Sequence, residues 1–325
     1  MIISRTPLRV SFSGGGTDLE DFYLNEPGAV VSTAIKKYIY VTVSQRFDNS
    51  IRVSCSKTEI VSRVDDIQHP IVREALKMVG IDGGIEIVSI ADIPAGTGLG
   101  SSSSFTVGLL NALYAYKGCL KTAEELARDA CRIEIDILGE PIGKQDQYIA
   151  AYGGLCYIQF NPDKSVFVNP LIPKKQVKEL LEKRLLMCYV GNLRNARTIL
   201  SEQKANTRKD DKFQNLKKMR DYALAARECL LDGFNPNEFG QVLHKGWLLK
   251  KELAGGISGT FIDQCYEKAL NAGALGGKLL GAGGGGFLLL FCLPENMPAV
   301  KQALGDLRIF TVSLEPEGSK IVYVT

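Results

Sequence analysis

The stretch from Pro94 to Ser104 contains three alternating glycines followed by four consecutive serines. The residues before it, 84–90, predict a strand, and the apolar residues after it recur at helical spacing as far as Lys117. Glycines at such a strand-to-helix turn allow backbone amides to approach a ligand. The first turn of the helix adds unpaired N–H groups and a dipole that favours an anion. The pattern predicts a phosphate-binding loop with serine hydroxyls available to Mg²⁺; the plainer alternative is a serine N-cap after a flexible loop.

Two common nucleotide-binding motifs fit this stretch poorly. The Walker A loop needs Gly-Lys followed by Ser or Thr, and no such sequence follows the glycines here. The dinucleotide fingerprint needs an acidic residue on a following strand, and no clear one is present. A nicotinamide-dependent oxidoreductase is therefore the weakest of the function classes considered.

Three further groups of residues could complete a phosphoryl-transfer site. Arg9 precedes a glycine-rich turn that ends in Asp18, Glu134 and Asp146 follow the phosphate loop, and a second glycine-rich run spans 276–286. Singly, each has a plain alternative, namely a helix cap, a solvated helix charge, a turn-forming residue and tight packing before a strand. Together they supply what phosphoryl transfer needs: a base for the acceptor hydroxyl, oxygen ligands for Mg²⁺, and a cation beside the transferring group.

The elements that must position these residues can also be read from the sequence. A helix is predicted over residues 122–138, beginning with a capping box formed by Thr122 and Glu125. Glu134 lies beside the apolar face of this helix, which is expected to consist of Leu126, Ala130, Ile133 and Ile137. A loop with one proline and two glycines follows, and Asp146 then enters a short helix.

Composition bounds the fold class and the compartment. The chain has 325 residues, 45% of them hydrophobic, and a net charge of +3, which favours neither nucleic acid nor a membrane surface as partner. Strands dominate up to about residue 66, and helices and strands mix after about residue 170, which predicts an α+β protein with domains 1–180 and 181–325. Eight scattered cysteines without metal-ligand spacing, and the lack of a signal peptide or membrane span, favour the cytoplasm.

Three motifs, in order along the chain, together resemble those of the GHMP kinases, a superfamily that includes galactokinase, homoserine kinase, mevalonate kinase and phosphomevalonate kinase. The first runs from Pro7 to Asp18, the second from Pro94 to Ser103, and the third from Lys278 to Gly286. Galactokinases carry Glu and His where this chain has Gly15 and Gly16. The variant here is most similar to the heptose 7-phosphate kinases of the superfamily.

The resemblance implies a role for each site residue. Asp146 would be the catalytic base with Arg9 facing it, Ser102 and Glu134 would hold Mg²⁺, and Asp18 would bind sugar hydroxyls. The residues implied to bind ATP are Pro94, Gly96, Gly98, Leu99, Gly100, Ser101, Ser102 and Ser103. The residues implied to bind substrate beside Asp18 are Gly15, Gly16, Thr17, Gly283 and Gly284.

A distal phosphate on the substrate would need cations of its own. Arg194 follows a predicted strand at 185–190 and opens a helix, where free amides add donors. We expect Arg194 to bind this phosphate. Lys36 and Lys37 are the alternative cations. If Arg194 has no such role, it simply lies at a solvated helix start.

The resemblance also implies a fold and a reaction. The fold would be a two-domain α+β kinase, with an N-terminal α/β domain that carries the phosphate loop and a ferredoxin-like C-terminal domain. The reaction would be Mg²⁺-dependent transfer of the γ-phosphate of ATP to the anomeric hydroxyl of D-glycero-D-manno-heptose 7-phosphate. Its product, the 1,7-bisphosphate, would serve nucleotide-activated heptose synthesis. Alternatives are the same reaction on fucose or a hexose, and a sugar- or ATP-sensing relative without catalysis; a homo-oligomer stays open.

Overall fold

Two β-sheets, one of eight strands and one of four, form the frame of the chain. The structure is a computed structural model that describes residues 1–192, 196–231 and 233–325. Arg194 therefore lies outside the described residues. The strands are β1 (Ile2–Ser13), β2 (Gly28–Gln45), β3 (Ile51–Ser54), β4 (Thr58–Val61), β5 (Ile85–Ala91), β6 (Leu155–Phe160), β7 (Val166–Pro170), β8 (Leu185–Asn192), β9 (Ala274–Leu279), β10 (Gly285–Cys292), β11 (Ile309–Thr311) and β12 (Lys320–Val324).

The helices lie between these strands in mixed order, which confirms the predicted α+β class. They are α1 (Glu20–Tyr23), α2 (Pro70–Val79), α3 (Ser101–Tyr116), α4 (Ala123–Cys131), α5 (Gln145–Tyr152), α6 (Lys175–Glu182), α7 (Ala196–Asn206), α8 (Asp210–Leu231), α9 (Pro236–Lys251), α10 (Thr260–Asn271) and α11 (Met297–Ala303). No helix within the described residues is both long and apolar enough to cross a membrane.

The eight-stranded sheet is built around β2. This strand has 18 residues. Its length lets β2 pair with β1, β5 and β6, so the first strand of the chain and the strand before the phosphate loop are held in one sheet. The last strand, β12, returns to pair with β1. The chain thus crosses back over the predicted domain boundary at residue 180.

Helix α3 carries the phosphate loop on a rigid base. It packs against β1 and β2, and Val107, Leu110 and Leu113 are among the apolar side chains that it buries there. Ser4 Oγ also donates a hydrogen bond of 2.7 Å to the Gly108 carbonyl. Burial of this much apolar surface fixes the direction in which the N-terminus of α3 points.

The four-stranded sheet has the order β11-β8-β10-β9 and is antiparallel throughout. One of its two central strands, β10, is completely buried. Helices α9 and α10 pack against β9 and cover Trp247 and Tyr266. This packing positions the loop between β9 and β10, which contains the middle of the second glycine-rich run.

The helix predicted over 122–138 is confirmed at its start and differs at its end. The capping box of Thr122 and Glu125 is present. After α4, residues 132–137 form a π-helix, in which Leu138 N donates to the Ile133 carbonyl at 3.0 Å. Glu134 follows the buried Leu126 and Ala130 at helical spacing and is itself buried. The wider turn shifts the helical register after it, and Ile137 is 46% exposed. The prediction that Ile137 belongs to the apolar face was therefore wrong.

This register change predicts unequal effects of two chemically identical substitutions. Ile133→Ala should lower the free energy of unfolding by about 2–5 kcal/mol, because it empties a fully buried site. Ile137→Ala should change that free energy by no more than about 0.5 kcal/mol. Urea denaturation followed by circular dichroism measures both. Equal losses would mean that the α-helix continues through residue 137.

Candidate active site

The phosphate loop connects β5 to α3 as the sequence predicts. The N-cap of α3 is Gly100 in the left-handed conformation, and no side chain caps the helix. The serine N-cap alternative is therefore wrong, and the first-turn amides stay open to an anion. Ser104 Oγ instead donates to the Pro7 carbonyl at 2.8 Å, and Arg9 N donates to the Leu99 carbonyl at 3.1 Å. These two bonds attach the loop to β1.

The two glycine-rich segments meet at backbone distance. Gly98 has a φ of +82°, and a Cβ at this position would lie 2.5 Å from the Leu280 carbonyl oxygen. A Cβ on Gly286 would lie 2.3 Å from the Thr97 carbonyl oxygen. Any side chain at these positions would separate the segments. The glycines thus hold the phosphate loop of the first sheet against the β9–β10 loop of the second.

Arg9 and Asp146 form an ion pair at this junction. Arg9 lies on β1 and is 4% exposed. Its Nε and Nη2 donate to the two carboxylate oxygens of Asp146, each at 2.8 Å, and its Nη1 donates to the Gly98 carbonyl. Such a two-point pair fixes the plane of the carboxylate as well as its position. Asp146 remains partly exposed and lines the adjoining cavity.

Asp18 is held by backbone amides on the other side of the same cavity. Its Oδ1 accepts from Gly16 N at 2.9 Å and its Oδ2 from Gln145 N at 3.1 Å. Burial raises the pKa of the Asp18 carboxyl, and these two amide bonds oppose that rise. Gly143 passes so close that a Cβ on it would lie 2.0 Å from Asp18 Oδ2. Asp18 is thus a positioned carboxylate rather than only a helix cap.

Ser102 and Glu134 meet beside the phosphate loop. Ser102 Oγ donates to Glu134 Oε1 at 2.7 Å, and Gln147 Nε2 donates to Glu134 Oε2 at 2.7 Å. Glu134 is 1% exposed, so the alternative of a solvated helix charge was wrong. Burial raises the pKa of the Glu134 carboxyl, and the bonds from Ser102 and Gln147 oppose the rise.

A hydroxyl and a carboxylate at this place fit Mg²⁺, which prefers oxygen ligands and keeps several waters. Within the described part of the chain, no cluster of three or more His, Cys, Asp or Glu side chains could hold a metal ion. A Mg²⁺ ion here would therefore take most of its ligands from phosphate oxygens and water. That arrangement is usual for a kinase site.

A cavity of about 630 Å³, counted to its open mouth, lies between Arg9, Asp18 and Asp146. None of the residues that line it belongs to the phosphate loop, so it forms a separate compartment next to that loop. Its lining residues include Arg9, Ser11, Gly15, Gly16, Asp18, Gly143, Gln145, Asp146, Leu200, Gln203, Lys250, Lys278 and Gly281.

Two buried lysines in this cavity were missed as site residues by sequence analysis. Lys250 lies on α9 and Lys278 on β9, and they are 5% and 4% exposed. Lys250 follows Leu243 and Trp247 at helical spacing, so a charge on an apolar face was the available signal. Lys278 begins the third motif, but its side chain was assigned no role.

The remaining predicted residues are distributed unevenly. Gly15 and Gly16 line the cavity, whereas Thr17 is buried between backbones, with its Oγ1 donating to the Gly14 and Ala29 carbonyls at 2.8 and 2.9 Å. Gly283 and Gly284 face the backbone of residue 257 and do not line the cavity. The predicted ATP-binding set, which includes Pro94, Gly96, Ser101 and Ser103, lies in the phosphate loop and the first turn of α3.

Family comparisons agree with the arrangement of the three motifs. The N-terminal domain of the GHMP kinases matches residues 68–154, and the C-terminal domain of the GHMP kinases matches residues 225–307. Together these two matches cover more than half of the chain and include the phosphate loop, Glu134, Asp146 and the β9–β10 loop.

Individual relatives are similar to this chain over nearly all of its own length. A D-glycero-alpha-D-manno-heptose 7-phosphate kinase of Campylobacter jejuni is 28% identical over 97% of each chain. A bifunctional fucokinase/GDP-fucose pyrophosphorylase of Arabidopsis thaliana is 27% identical over 95% of this chain, which spans 31% of that protein. The crystal structure of a D-glycero-D-manno-heptose 1-phosphate kinase from Bacteroides thetaiotaomicron shares the fold, with a TM-score of 0.82 at 24% identity and full coverage of both chains.

Proposed function

The chain belongs to the GHMP kinase family, whose members use ATP, and we propose that it phosphorylates the anomeric hydroxyl of D-glycero-D-manno-heptose 7-phosphate. The observation that carries this proposal is the Arg9–Asp146 pair, which lies where the phosphate loop meets the cavity. A phosphate donor on the loop and an acceptor in the cavity would share this point. The product would be the 1,7-bisphosphate, a precursor for nucleotide-activated heptose.

In the proposed reaction, ATP places its phosphates on the loop amides and the α3 N-terminus. Asp146 accepts the proton of the acceptor hydroxyl, and the hydroxyl oxygen attacks the γ-phosphorus as the bond to the β-phosphate oxygen breaks. Arg9 fixes the Asp146 carboxylate by two hydrogen bonds. Asp18, held by two amides, accepts hydrogen bonds from sugar hydroxyls and keeps the attacking one beside Asp146.

We assign Mg²⁺ to Ser102 and Glu134, whose side chains already share a hydrogen bond. When bound, Mg²⁺ neutralises charge on the phosphate oxygens. Gln147 keeps the Glu134 carboxylate turned toward Ser102. We also propose two domains, 1–180 and 181–325, with the last strand of the second returning to the sheet of the first, and we propose that the protein works in the cytoplasm. The eight cysteines without disulfide partners agree with that compartment.

The relatives support a heptose phosphate without fixing its phosphate position. One is named as a 7-phosphate kinase and another as a 1-phosphate kinase. A second candidate acceptor is fucose, because the similarity to the Arabidopsis fucokinase spans 95% of this chain. Fucose has no phosphate group, so the two candidates differ in the charge that the cavity must accept.

A panel of acceptors tests the substrate. ADP release should be fastest with D-glycero-D-manno-heptose 7-phosphate, and slower with the 1-phosphate, unphosphorylated heptose, fucose and hexoses. Phosphorus NMR of the product should show a new anomeric phosphate. Faster turnover of fucose, or phosphorylation at another hydroxyl, would overturn the proposed reaction.

Asp146→Asn should lower turnover by about 10²–10⁴-fold, because the amide cannot accept the proton of the acceptor hydroxyl. ATP affinity should stay within a few-fold of wild type, since the phosphate loop is unchanged. Single-turnover kinetics and ATP titration separate the two quantities. Asp82→Asn, an exposed carboxylate away from the cavity, serves as the matched control. Turnover close to wild type in Asp146→Asn would remove this residue from the mechanism.

Ser102→Ala and Glu134→Gln should each raise the Mg²⁺ concentration needed for half-maximal rate, because each replaces an oxygen ligand of the proposed site. Ser104→Ala is the control, since Ser104 donates to the Pro7 carbonyl and is assigned no metal. A magnesium titration at saturating ATP measures all three. An unchanged midpoint in both site variants would place the metal elsewhere.

A further inference from the structure

Lys278 is an enclosed cation without a partner. Its side chain lies in the cavity and is 4% exposed, and within the described chain its ammonium forms no hydrogen bond, ion pair or ring contact. Lys250, which is equally enclosed, donates to the carbonyls of Leu279, at 3.1 Å, and Gly281. Lys250 thus fixes the start of the β9–β10 loop, whereas the side chain of Lys278 holds no backbone carbonyl within the described residues.

The ionisable groups around the cavity do not balance. Among the described residues that line it, Arg9, Lys250 and Lys278 face two carboxylates, Asp18 and Asp146. Burial lowers the pKa of Lys250 to about 7, so a bound anion would favour the charged form of both lysines. Asp146 pairs with Arg9, the oxygens of Asp18 accept from two backbone amides, and neither carboxylate forms an ion pair with Lys278 within the described residues. A buried charge without a counterion is costly, so a second cation next to Lys278 increases the demand for an anion. Burial and Lys250 accordingly lower the pKa of Lys278 well below its usual value.

The position of Lys278 indicates which anion this is. The nucleotide phosphates are assigned to the loop at 94–104, and no residue of that loop lines the cavity. Lys278 instead shares the cavity with Gly16 and Asp18 of the acceptor side, and with Gln203 of α7. Gln203 is also buried, and its side-chain amide forms no hydrogen bond within the described residues. The compartment therefore presents an unused cation and an unused amide to the acceptor.

We propose that Lys278 binds the phosphate group that the acceptor already carries, and that it makes the enzyme specific for phosphorylated sugars. The proposal rests on the proposed function for the acceptor compartment but not for the identity of the sugar. Lys278 replaces Arg194, which lies outside the described residues, as the first candidate for this phosphate. Lys250 is a positioning residue that supports the adjoining loop.

The test compares a phosphorylated and an unphosphorylated form of the same sugar. The pairs are heptose 7-phosphate with heptose, and glucose 6-phosphate with glucose. The kcat/KM ratio within each pair is measured for wild type, Lys278→Met, Lys278→Gln and the exposed control Lys268→Met. Calorimetric titration of each sugar, with Mg²⁺ and a non-hydrolysable ATP analogue present, measures binding without turnover.

Lys278→Met should lower the preference for the phosphorylated sugar by about 10- to 100-fold, which is the usual worth of a hydrogen bond to a charged group. The loss in kcat/KM should fall mainly on the phosphorylated member of each pair, and the KM for ATP should change less than the KM for the phosphorylated sugar. The preference of Lys278→Gln for the phosphorylated sugar should lie between those of wild type and Lys278→Met. The preference of Lys268→Met should equal that of wild type. Because the methionine removes an unpaired buried charge, the empty Lys278→Met protein should melt no lower than wild type.

The outcomes separate this assignment from the proposed substrate. If wild type prefers glucose 6-phosphate to heptose 7-phosphate and Lys278→Met loses the preference for phosphate, the heptose proposal fails and the assignment of Lys278 stands. If wild type uses heptose 7-phosphate and Lys278→Met keeps the full preference, the substrate stands and the assignment is overturned. Equal losses on both members of a pair also overturn it, because Lys278 would then act on the transferring phosphoryl group.

Discussion

The ion pair between Arg9 and Asp146 connects the fold to the site. Arg9 comes from the middle of the first strand, Asp146 from the first turn of α5, and the Gly98 carbonyl that Arg9 also contacts belongs to the phosphate loop. Because a buried guanidinium must be compensated by nearby acceptors, these three segments are held at one point although more than 130 residues separate the first from the last. The carboxylate that would accept the proton is therefore placed by the same contact that places the phosphate loop.

Close backbone approach is the second constraint on the site. The phosphate loop belongs to the first sheet and the β9–β10 loop to the second, and they touch because Gly98 and Gly281 lack side chains; a Cβ on Gly281 would lie 2.5 Å from Gly98 Cα. The glycine-rich run therefore allows tight backbone packing, and this role is compatible with a part in the phosphoryl-transfer site. It fixes the second sheet, which carries Lys278 and packs against the helix that carries Lys250, against the loop that would carry ATP.

Much of the frame could be predicted from sequence, because it depends on local patterns. The strand before the phosphate loop, the helix after it and the capping box of α4 follow from alternation, helical spacing and capping residues. The π-helix at 132–137 could not be predicted, since a hydrogen bond to the fifth residue leaves no mark in a 3.6-residue pattern. Its effect is that Ile137 turns outward. Glu134 is buried in line with Leu126 and Ala130, and only the family resemblance indicated a role for that residue.

Lys250 and Lys278 show a different limit of sequence analysis. A lysine in an apolar segment is usually interpreted as a side chain whose charged end reaches water. Here both lysines are enclosed, because their elements pack so that their side chains enter a cavity closed by residues distant in sequence. That information is tertiary: neither spacing nor composition contains it.

The cavity combines two kinds of group that would suit the two ends of the proposed sugar phosphate. The turn after β1 contributes Asp18 and α5 contributes Asp146, carboxylates that would accept hydrogen bonds from hydroxyls, and β9 of the second sheet contributes the side chain of Lys278. A sugar without a phosphate would satisfy the carboxylates and leave the buried cation unpaired. An analogue that leaves a buried polar group unpaired is rejected far more strongly than one that merely fills less space. A single unpaired lysine can therefore discriminate between sugars that are otherwise identical in their ring hydroxyls.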